Sequence, residues 1–380
     1  MRATQALIHL DVLKKNIQTL RAHHAAAGKQ PALCVPVKAD AYGHGAVPVA
    51  RAALEAGASY LAVATVDEGA QLRESGITAP VLLLSQCLPA EMEAVCEYTL
   101  VPLISDREAA ALFEKAAAQT FALNRNKKLS VFIKIDTGMG RIGCSAEESA
   151  SLAEYISKSA LLNYAGTITH FAVSDSSSAD NVEYTRRQIS LFSAALNNIR
   201  MRSINPGIVS AANSGGAVGY PESWFDMARP GIILYGYQDA ESLPHLDFKP
   251  VMELTTRLVY LKTVHKGESV SYGRTWTAGE DTVVGVLPVG YADGLPRILS
   301  NNYSVCINNV LYPLAGRVCM DQCMVNLGKN PAVNRWDAVT VFGGGQPSLD
   351  ASDIAKRAGT IPYEITCNIN KRVPRIYTNL

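Results

Sequence analysis

Short apolar runs alternate with helix-like stretches over the first 235 residues of this chain, and that alternation limits the possible folds. Polar or glycine-containing segments bound each run, which is typical of buried strands. Strands that alternate with helices predict a parallel sheet, and eight such units predict a (β/α)8 TIM-like barrel. The eight predicted strands are residues 33–37, 60–64, 81–84, 100–103, 131–135, 165–169, 208–211 and 232–235.

Helix signals lie between these strands. Asp11 is placed to cap a first helix that ends near Gly28. A further helix is predicted over residues 46–55 and closes at Gly57. Two serine–glutamate pairs have the capping-box spacing at later helix starts. They are Ser105 with Glu108 and Ser145 with Glu148.

The pattern changes near Gln238, where a polar connector at residues 239–250 begins. The runs that follow are rich in β-formers: residues 258–264, 282–289, 303–311, 323–327 and 338–342. Asn308 and Asn309 form a predicted tight turn inside the third run. One helix is predicted at residues 352–358. We therefore predict an N-terminal strand at residues 1–10 that pairs with the β domain, a barrel at 11–240, and a mainly antiparallel β domain at 241–380.

Composition narrows the class of protein. A net charge of +1 gives no reason to expect a nucleic-acid or membrane partner. No apolar run approaches the roughly 18 residues of a membrane span, and the start of the chain lacks the apolar segment of a signal peptide. The eight cysteines are scattered without metal-ligand spacing. We expect reduced thiols, no metal and a cytoplasmic protein.

The catalytic residues of a barrel lie at the carboxyl ends of its strands. Lys38 follows the first apolar run, and a desolvated lysine has the lowered pKa that Schiff-base or general-base chemistry needs. A surface lysine that extends its amine to water is the alternative. Polar or glycine-rich segments follow four later strands. They are residues 134–143, 169–172, 213–216 and 229–236, each of which alone would indicate a turn or a core residue.

Six segments together resemble the alanine racemase family, in the family's order and over nearly the whole chain. They read VKADAYGHG from Val37, DTGMGRIG from Asp136, THFA from Thr169, SYGRT from Ser271, VGYADG from Val289 and GRVCMDQ from Gly316. The resemblance implies a pyridoxal 5'-phosphate (PLP) enzyme that is a homodimer with shared active sites. It also implies interconversion of L-alanine and D-alanine, which supplies D-alanine for peptidoglycan.

The resemblance assigns roles residue by residue. Lys38 would hold PLP, and four residues would surround its phosphate: Tyr42, Ser214, Gly231 and Ile232. Arg229 would face the pyridine nitrogen with His170 beside it. Because an arginine does not give up its proton, the ring nitrogen would stay neutral, which would curb side reactions.

Further positions follow from the same likeness. Lys38 and Tyr272 of the partner subunit would be the two bases on opposite faces of the substrate. Arg141 would contact the cofactor's phenolic oxygen or the substrate carboxylate, Met320 would contact the substrate, and Lys134 would be carbamylated. Seven positions resemble the family's substrate access path, where ordinary interface residues are the alternative. They are Asp175, Tyr291, Asp293, Arg297, Arg317, Met320 and Ile369.

The chain departs from the family near its carboxyl end. Lys371, preceded by Asn370, stands where many members have a tyrosine close to the substrate side chain. Losing that aromatic ring would widen the pocket, so serine, alone or with alanine, is the alternative substrate. Relatives active on serine can be the catalytic part of a larger membrane protein. A PLP carrier without turnover and a decarboxylase on the same barrel are the remaining alternatives.

Overall fold

The computed structural model describes residues 2–123, 126–238, 244–345 and 349–378. Strand β1 (Gln5–His9) leads directly into helix α1 (Leu10–Ala26). The helix buries Leu13, Ile17 and Leu20 along one face, as its apolar spacing indicates. The predicted cap was wrong, because His9 occupies the cap position and Asp11 lies in the first turn. A carboxylate in the first turn still stabilises the helix, because it lies near the positive end of the helix dipole.

The predicted barrel is confirmed. Its eight parallel strands are β2 (Ala32–Pro36), β3 (Tyr60–Val63), β4 (Val81–Leu83), β5 (Val101–Ile104), β6 (Leu129–Lys134), β7 (Leu162–Ile168), β8 (Ile208–Ser210) and β9 (Met227–Ala228). The intervening helices are α2 (Lys38–Tyr42, a single turn), α3 (Ala46–Glu55), α4 (Val66–Glu74), α5 (Met92–Glu97), α6 (Arg107–Thr120), α7 (Ala146–Ser157), α8 (Ala179–Met201) and α9 (Ser214–Gly219). The prediction of α3 was right at both ends.

The eighth strand was predicted at the wrong place. Residues 232–235 form a 3₁₀ helix, Ile232–Tyr235, and the strand is the two-residue β9 just before it. Strand β9 pairs with β2, which starts the barrel. Backbone hydrogen bonds from Asp226 N to Val209 O (3.1 Å) and from Arg229 N to Ala212 O (2.8 Å) join it to the β8 side. Arg229 therefore directly follows β9, the eighth strand of the barrel, and lies at the same edge of the barrel as Lys38.

One of the two predicted capping boxes is present. Ser145 and Glu148 bond reciprocally at the start of α7. At α6 the cap is Asp106 rather than Ser105, and its side chain accepts a hydrogen bond from Ala109 N. Because the helix begins at Arg107, Asp106 holds the cap position and Ser105 lies one residue too early.

The β domain follows. Its strands are β10 (Met252–Arg257), β11 (Tyr260–Val264), β12 (Ser269–Val270), β13 (Trp276–Thr277), β14 (Thr282–Leu287), β15 (Ser304–Ile307), β16 (Val310–Pro313), β17 (Cys323–Gly328), β18 (Ala338–Phe342) and β19 (Arg375–Thr378). Helices α10 (Ala351–Ala358) and α11 (Pro362–Cys367) precede the last strand. The 3₁₀ helices besides Ile232–Tyr235 are Pro89–Glu91, Pro221–Ser223, Tyr272–Arg274, Tyr291–Asp293 and Arg297–Leu299.

The largest sheet of this domain has the order β16-β15-β18-β10-β1-β19. Strand β1 is antiparallel to β10 and parallel to β19, so the first strand of the chain lies inside this sheet. Strands β11, β14 and β17 form a second, antiparallel sheet. The tight turn predicted at Asn308 and Asn309 joins β15 to β16, and both residues have positive φ, as a tight hairpin turn requires.

Residues 244–250 of the predicted connector contain no helix or strand. The predicted domain division at residues 240 and 241, and the ends of the two outer regions at 1 and 380, lie outside the described residues and stay predictions. Over the described residues, no helix has the length and apolar character that crossing a membrane requires. All eight cysteines are free thiols, as the sequence indicated.

Candidate active site

A cavity of about 420 Å³ opens where the barrel strands end at their carboxyl edge. Its size falls in the range of small-molecule sites. Eight residues singled out in the sequence line it together: Lys38, Tyr42, Lys134, Arg141, His170, Ser214, Arg229 and Gly231. Asp175, one of the predicted access-path residues, also lines it. The lining therefore carries four permanent or potential cations from lysine and arginine, which suits an anionic ligand.

Sequence reasoning missed several residues of the wall. Gln86 and Tyr363 line the cavity but lie outside the predicted segments, whereas Thr169, Asn213 and Gly215 line it from segments that the sequence had singled out. Asn213 and Gly215 flank the predicted Ser214, so their placement follows once that loop is placed. Tyr363 comes from α11 of the β domain, and no local signal in the sequence connects that helix with the barrel.

Three predicted site residues lie elsewhere. The described residues that line the cavity do not include Ile232, Tyr272 or Met320. Ile232 is buried in the turn behind Gly231. Tyr272 is 71% exposed and Met320 53% exposed, both on the surface of the β domain. One chain thus brings the barrel residues together but leaves the phenol of Tyr272 facing outward.

Lys38 starts a left-handed turn. The four residues after it, Ala39 to Tyr42, have φ values of 52°, 52°, 54° and 54°. None is a glycine, and a left-handed conformation costs an L-residue about 1–2 kcal/mol. Backbone strain of this kind is found where the surrounding structure fixes a functional group. The turn therefore needs strong support from its neighbours.

Hydrogen bonds from both ends support the turn. Ala41 N donates to Val37 O (2.8 Å), and Gly45 N donates to Asp40 O (2.8 Å). Ala46 N donates to Asp40 Oδ1 (2.7 Å). On the other side, Ala39 N donates to Glu68 Oε1 at 2.6 Å. The role of Glu68 was not predicted from the sequence. Thr65 and Glu68 have the capping-box spacing, which could have identified Glu68 as a structural residue.

The electrostatic environment lowers the basicity of the two cavity lysines. Burial, followed by the charge of Arg141, lowers the pKa of Lys38, whereas Glu68 and Cys367 act in the opposite direction. Burial, followed by Arg229 and Arg141, places the pKa of Lys134 well below its ordinary value. Lys134 is only 4% exposed, and its Nζ has no hydrogen-bond partner among the described residues. A buried amine next to two arginines is stable only if it is neutral or chemically altered.

Arg229 is fixed by backbone and side-chain oxygens. Its Nη1 donates to Ser210 Oγ, and its Nη2 donates to Thr169 O and to Ala211 O (3.2 Å). His170 Nδ1 lies 3.5 Å from the same Nη2. Burial lowers the pKa of Arg229 to about 10, so the guanidinium stays charged at neutral pH. Burial and then Arg229 lower the pKa of His170 well below its ordinary value, so this imidazole is neutral.

Ser214, Gly231 and Tyr42 form a narrow cradle. Gly231 N donates to Ser214 Oγ at 2.8 Å. A Cβ added at Gly231 would lie 2.8 Å from the Tyr42 hydroxyl, so the position has no room for a side chain. Tyr42 is buried against Tyr235, with ring centroids 4.8 Å apart, and burial raises its pKa, so its hydroxyl is a donor at neutral pH.

The loop that carries Arg141 is shaped by Asp136. Its carboxylate accepts hydrogen bonds from Gly138 N (2.9 Å) and Gly140 N (3.0 Å). Gly143 closes the loop with φ 138°, where a Cβ would lie 2.5 Å from Asp136 N. The glycines in this segment therefore permit a tight loop that presents Arg141 to the cavity.

In the β domain, Tyr272 also follows strained backbone. Ser271 has φ 72°, and its Oγ donates to Arg317 O at 2.7 Å. The other predicted access-path residues divide into two groups. Tyr291 and Arg297 are exposed, whereas Ile369 is buried.

Asp293 is fully buried and forms ion pairs with two arginines. Its Oδ1 lies 2.5 Å from Arg2 Nη2 and 2.6 Å from Arg372 Nε, and its Oδ2 accepts from Gly290 N. This ion cluster connects the start of the chain to the segment before β19. It braces the turn that carries Tyr291.

Comparison with known proteins gives one family for the whole chain. The family model for the alanine racemase N-terminal domain matches residues 8–239, and that for the C-terminal domain matches residues 251–377. An alanine racemase of Treponema denticola is 50% identical over 382 residues, with 99% of this chain and 98% of that protein covered. One of Treponema pallidum is 43% identical, with 99% and 100% covered. The solved alanine racemase of Clostridium difficile superposes with a TM-score of 0.91 at 33% identity and covers 100% of this chain and 96% of its own.

Proposed function

Because this chain belongs to the alanine racemase family, we propose that it interconverts L-alanine and D-alanine with PLP as cofactor. The observation that carries the proposal is the gathering of Lys38, Arg141, Arg229 and the Ser214–Gly231 cradle in one cavity of the barrel. These residues come from distant parts of the chain, and their convergence supports one common ligand.

The cavity fits PLP by its donor set. Ser214 Oγ, the Tyr42 hydroxyl and the backbone amides of Gly231 and Ile232 would hold the phosphate, where the cradle excludes a Cβ. Lys38 Nζ would bind the aldehyde carbon, and Arg229 would face the pyridine nitrogen. When bound, PLP stabilises negative charge at the substrate α-carbon. Arg229 is held as a donor only, so it would leave the ring nitrogen without a proton.

An enzyme can racemise an amino acid with one base on each face of the α-carbon. Lys38 Nζ, whose pKa is lowered mainly by burial, can accept a proton on one face. We assign the other face to the phenol oxygen of Tyr272 of the partner subunit. The high exposure of Tyr272 on its own chain supports this assignment, because a 71% exposed tyrosine is free to enter a neighbour's cavity. The protein would then be a homodimer with shared active sites, in which Met320 also contacts the substrate.

Lys134 fits a carbamate. Its neutral amine would add to CO2, forming a new N–C bond and releasing one proton. The resulting anion would lie between Arg141 and Arg229, where the unmodified Nζ has no hydrogen-bond partner among the described residues. This would orient Arg141 toward the cofactor and the substrate carboxylate. Mass spectrometry of the native protein should find Lys134 heavier by one CO2, and an unmodified lysine would refute the assignment.

The experiment for the function is direct. Purified protein supplied with PLP should convert L-alanine to D-alanine, and the reverse, until the two are equal. Protein stripped of PLP should not. Binding of PLP without any conversion would favour a carrier, and CO2 release from basic amino acids would favour a decarboxylase.

Serine is the second candidate substrate. Lys371 is exposed on the segment after α11, and Asn370 Oδ1 accepts from Arg372 N at 3.0 Å. Neither position supplies an aromatic ring to the pocket. The ratio of kcat/KM for L-alanine to that for L-serine decides between them, and we expect it to exceed one.

The eight free thiols support a reducing compartment, so we propose a cytoplasmic protein. The product D-alanine would supply peptidoglycan synthesis.

A further inference from the structure

The left-handed turn next to Lys38 and the start of helix α4 share one side chain. Glu68 is the third residue of α4, and its Oε2 accepts from Ala64 N (2.8 Å) and Thr65 N (3.2 Å). Its Oε1 accepts from Ala39 N at 2.6 Å. A capping box uses only the helix's own residues, so the bond to Ala39 is an addition to the ordinary cap.

All three donors are backbone N–H groups, and they occupy both carboxylate oxygens. An amide offers only one accepting oxygen. A glutamine at this position therefore cannot accept all three hydrogen bonds on two oxygens. The two oxygens of Glu68 join the end of strand β3 to the residue that follows Lys38.

The position of that bond matters because Ala39 is the first of four consecutive non-glycine residues with φ near 52°. The bond to Glu68 restrains the first residue of this turn, and Lys38 immediately precedes it. We infer that Glu68 is a positioning residue: it holds the left-handed turn closed and thereby fixes the direction of the Lys38 side chain. The inference rests on the proposed role of Lys38 as the amine that binds PLP.

Glu68 also acts on Lys38 through its charge. Of the groups that act on Lys38, Arg141 lowers its pKa after burial, whereas Glu68 and Cys367 raise it. Replacing Glu68 by a neutral side chain should therefore shift the titration of Lys38 to lower pH. That shift reports how near the carboxylate lies to the amine, whereas the affinity for PLP reports whether Lys38 is correctly positioned.

The main test uses Glu68→Gln protein freed of cofactor. Trace acetylation of Lys38 as a function of pH, followed by mass spectrometry of the peptide that contains it, reports the titration of this amine. We expect the profile to move to lower pH than in the natural protein. Titration with PLP should give a Kd raised about tenfold or more, since misplacing a reacting group is costly.

Two controls separate positioning from helix stability. Glu148→Gln makes the same change at the equivalent residue of the α7 capping box, which does not line the cavity. Thr65→Ala weakens the start of α4 itself, where Thr65 Oγ1 accepts from Glu68 N, but leaves the Ala39 bond in place. Both controls should keep the acetylation profile of Lys38 and the Kd for PLP within about twofold of the natural protein.

A Glu68→Gln protein with an unchanged Kd for PLP would overturn the inference, whatever its acetylation profile. If that variant does not fold, Glu68→Asp takes its place. It keeps the charge but is one methylene too short to reach Ala39, so Kd should rise while the profile stays close to natural. An Asp variant with natural Kd would equally overturn it. A natural protein that does not bind PLP would refute the proposed function. Acetylation of Lys38 needs no cofactor, so in that case the effect of Glu68 on Lys38 can still be measured.

Discussion

Single buried side chains set the chemistry of the barrel mouth. Lys38, Lys134 and Arg229 lie close enough to His170 to lower its affinity for protons, and Arg229 does the same to Lys134. Burial adds to this effect, since a charged group loses its hydration. The result is a pair of weakly basic amines and a neutral imidazole beside a guanidinium that stays charged.

The two proposed bases should respond differently to substitution. Lys38→Ala should abolish both the visible absorbance of bound PLP and all racemisation, because the amine that holds the cofactor is gone. Tyr272→Phe should keep the absorbance and lose conversion of L-alanine by at least about a hundredfold, with a smaller loss for D-alanine. Initial rates measured separately from each enantiomer test this. Equal losses in both directions would contradict the assignment of one base to each face.

His44, two residues after the left-handed turn, predicts an acid-sensitive fold. Its Nδ1 faces the carbonyl oxygens of Ala41 and Tyr42, so Nδ1 carries the proton, and the buried Nε2 has no partner among the described residues. Burial lowers its pKa from 6.5 to about 4. Below pH 6.5 the unfolded chain binds a proton that the folded chain excludes, so stability falls as the pH drops toward 4, by roughly 3 kcal/mol for this group.

His44→Asn removes that titration while keeping an N–H donor. Urea unfolding at pH 7 and pH 5 should show a smaller loss between the two pH values in the variant than in the natural protein. Equal losses would mean that other groups cause the acid sensitivity.

At the scale of elements, the loop after β6 depends on its glycines unequally. A Cβ at Gly143 would lie 2.5 Å from Asp136 N and 2.9 Å from Ile135 C, both backbone atoms that cannot move alone. Gly143→Ala should therefore displace Arg141 and lower kcat/KM about tenfold or more.

Gly140 is the matched control. Its φ of 68° is left-handed, but a Cβ there meets no atom within 4 Å. Gly140→Ala should cost only about 1 kcal/mol of stability, with kcat/KM within about twofold of the natural protein. A similar loss of kcat/KM in both variants would show that general loop strain, rather than the clash at Gly143, controls the site.

Elements were predictable from sequence where local signals were strong. Helix α3 and strand β18 have the predicted bounds, because an apolar periodicity and a flanking glycine marked them. Strand β9 has two residues, which is too short for any periodicity. The apolar residues Ile232–Tyr235 fit a strand equally well, but Gly236 with φ 99° turns the chain, and a 3₁₀ helix forms.

The residues of the candidate site that lie inside contiguous sequence motifs were predictable. Segments such as VKADAYGHG and DTGMGRIG are contiguous, so their residues could be placed without a structure. The bond between Glu68 and Ala39 crosses 29 positions and depends on the neighbouring ends of β2 and β3. The Nζ of Lys134 lacks a hydrogen-bond partner in the described part of the chain, and this depends on packing, which residue types alone do not reveal.

At the scale of the whole molecule, the proposed shared site predicts complementation between inactive variants. Mixing Lys38→Ala and Tyr272→Phe subunits should give hybrid dimers in which one of the two sites has both natural residues. With random exchange, activity should recover to about a quarter of the natural value. Each variant exchanged with itself is the control. No recovery in verified hybrids would show that Tyr272 does not serve the neighbouring chain.

The position of β1 has a consequence for how the protein is made. Residues 5–9 are made before the strands they pair with, β10 at residues 252–257 and β19 at residues 375–378. Until then β1 has no partner strand in this sheet, and Ala6 and Ile8, which are buried in the folded protein, lack that cover. Bulky additions ahead of Gln5 should therefore disturb a late step of assembly rather than an early one.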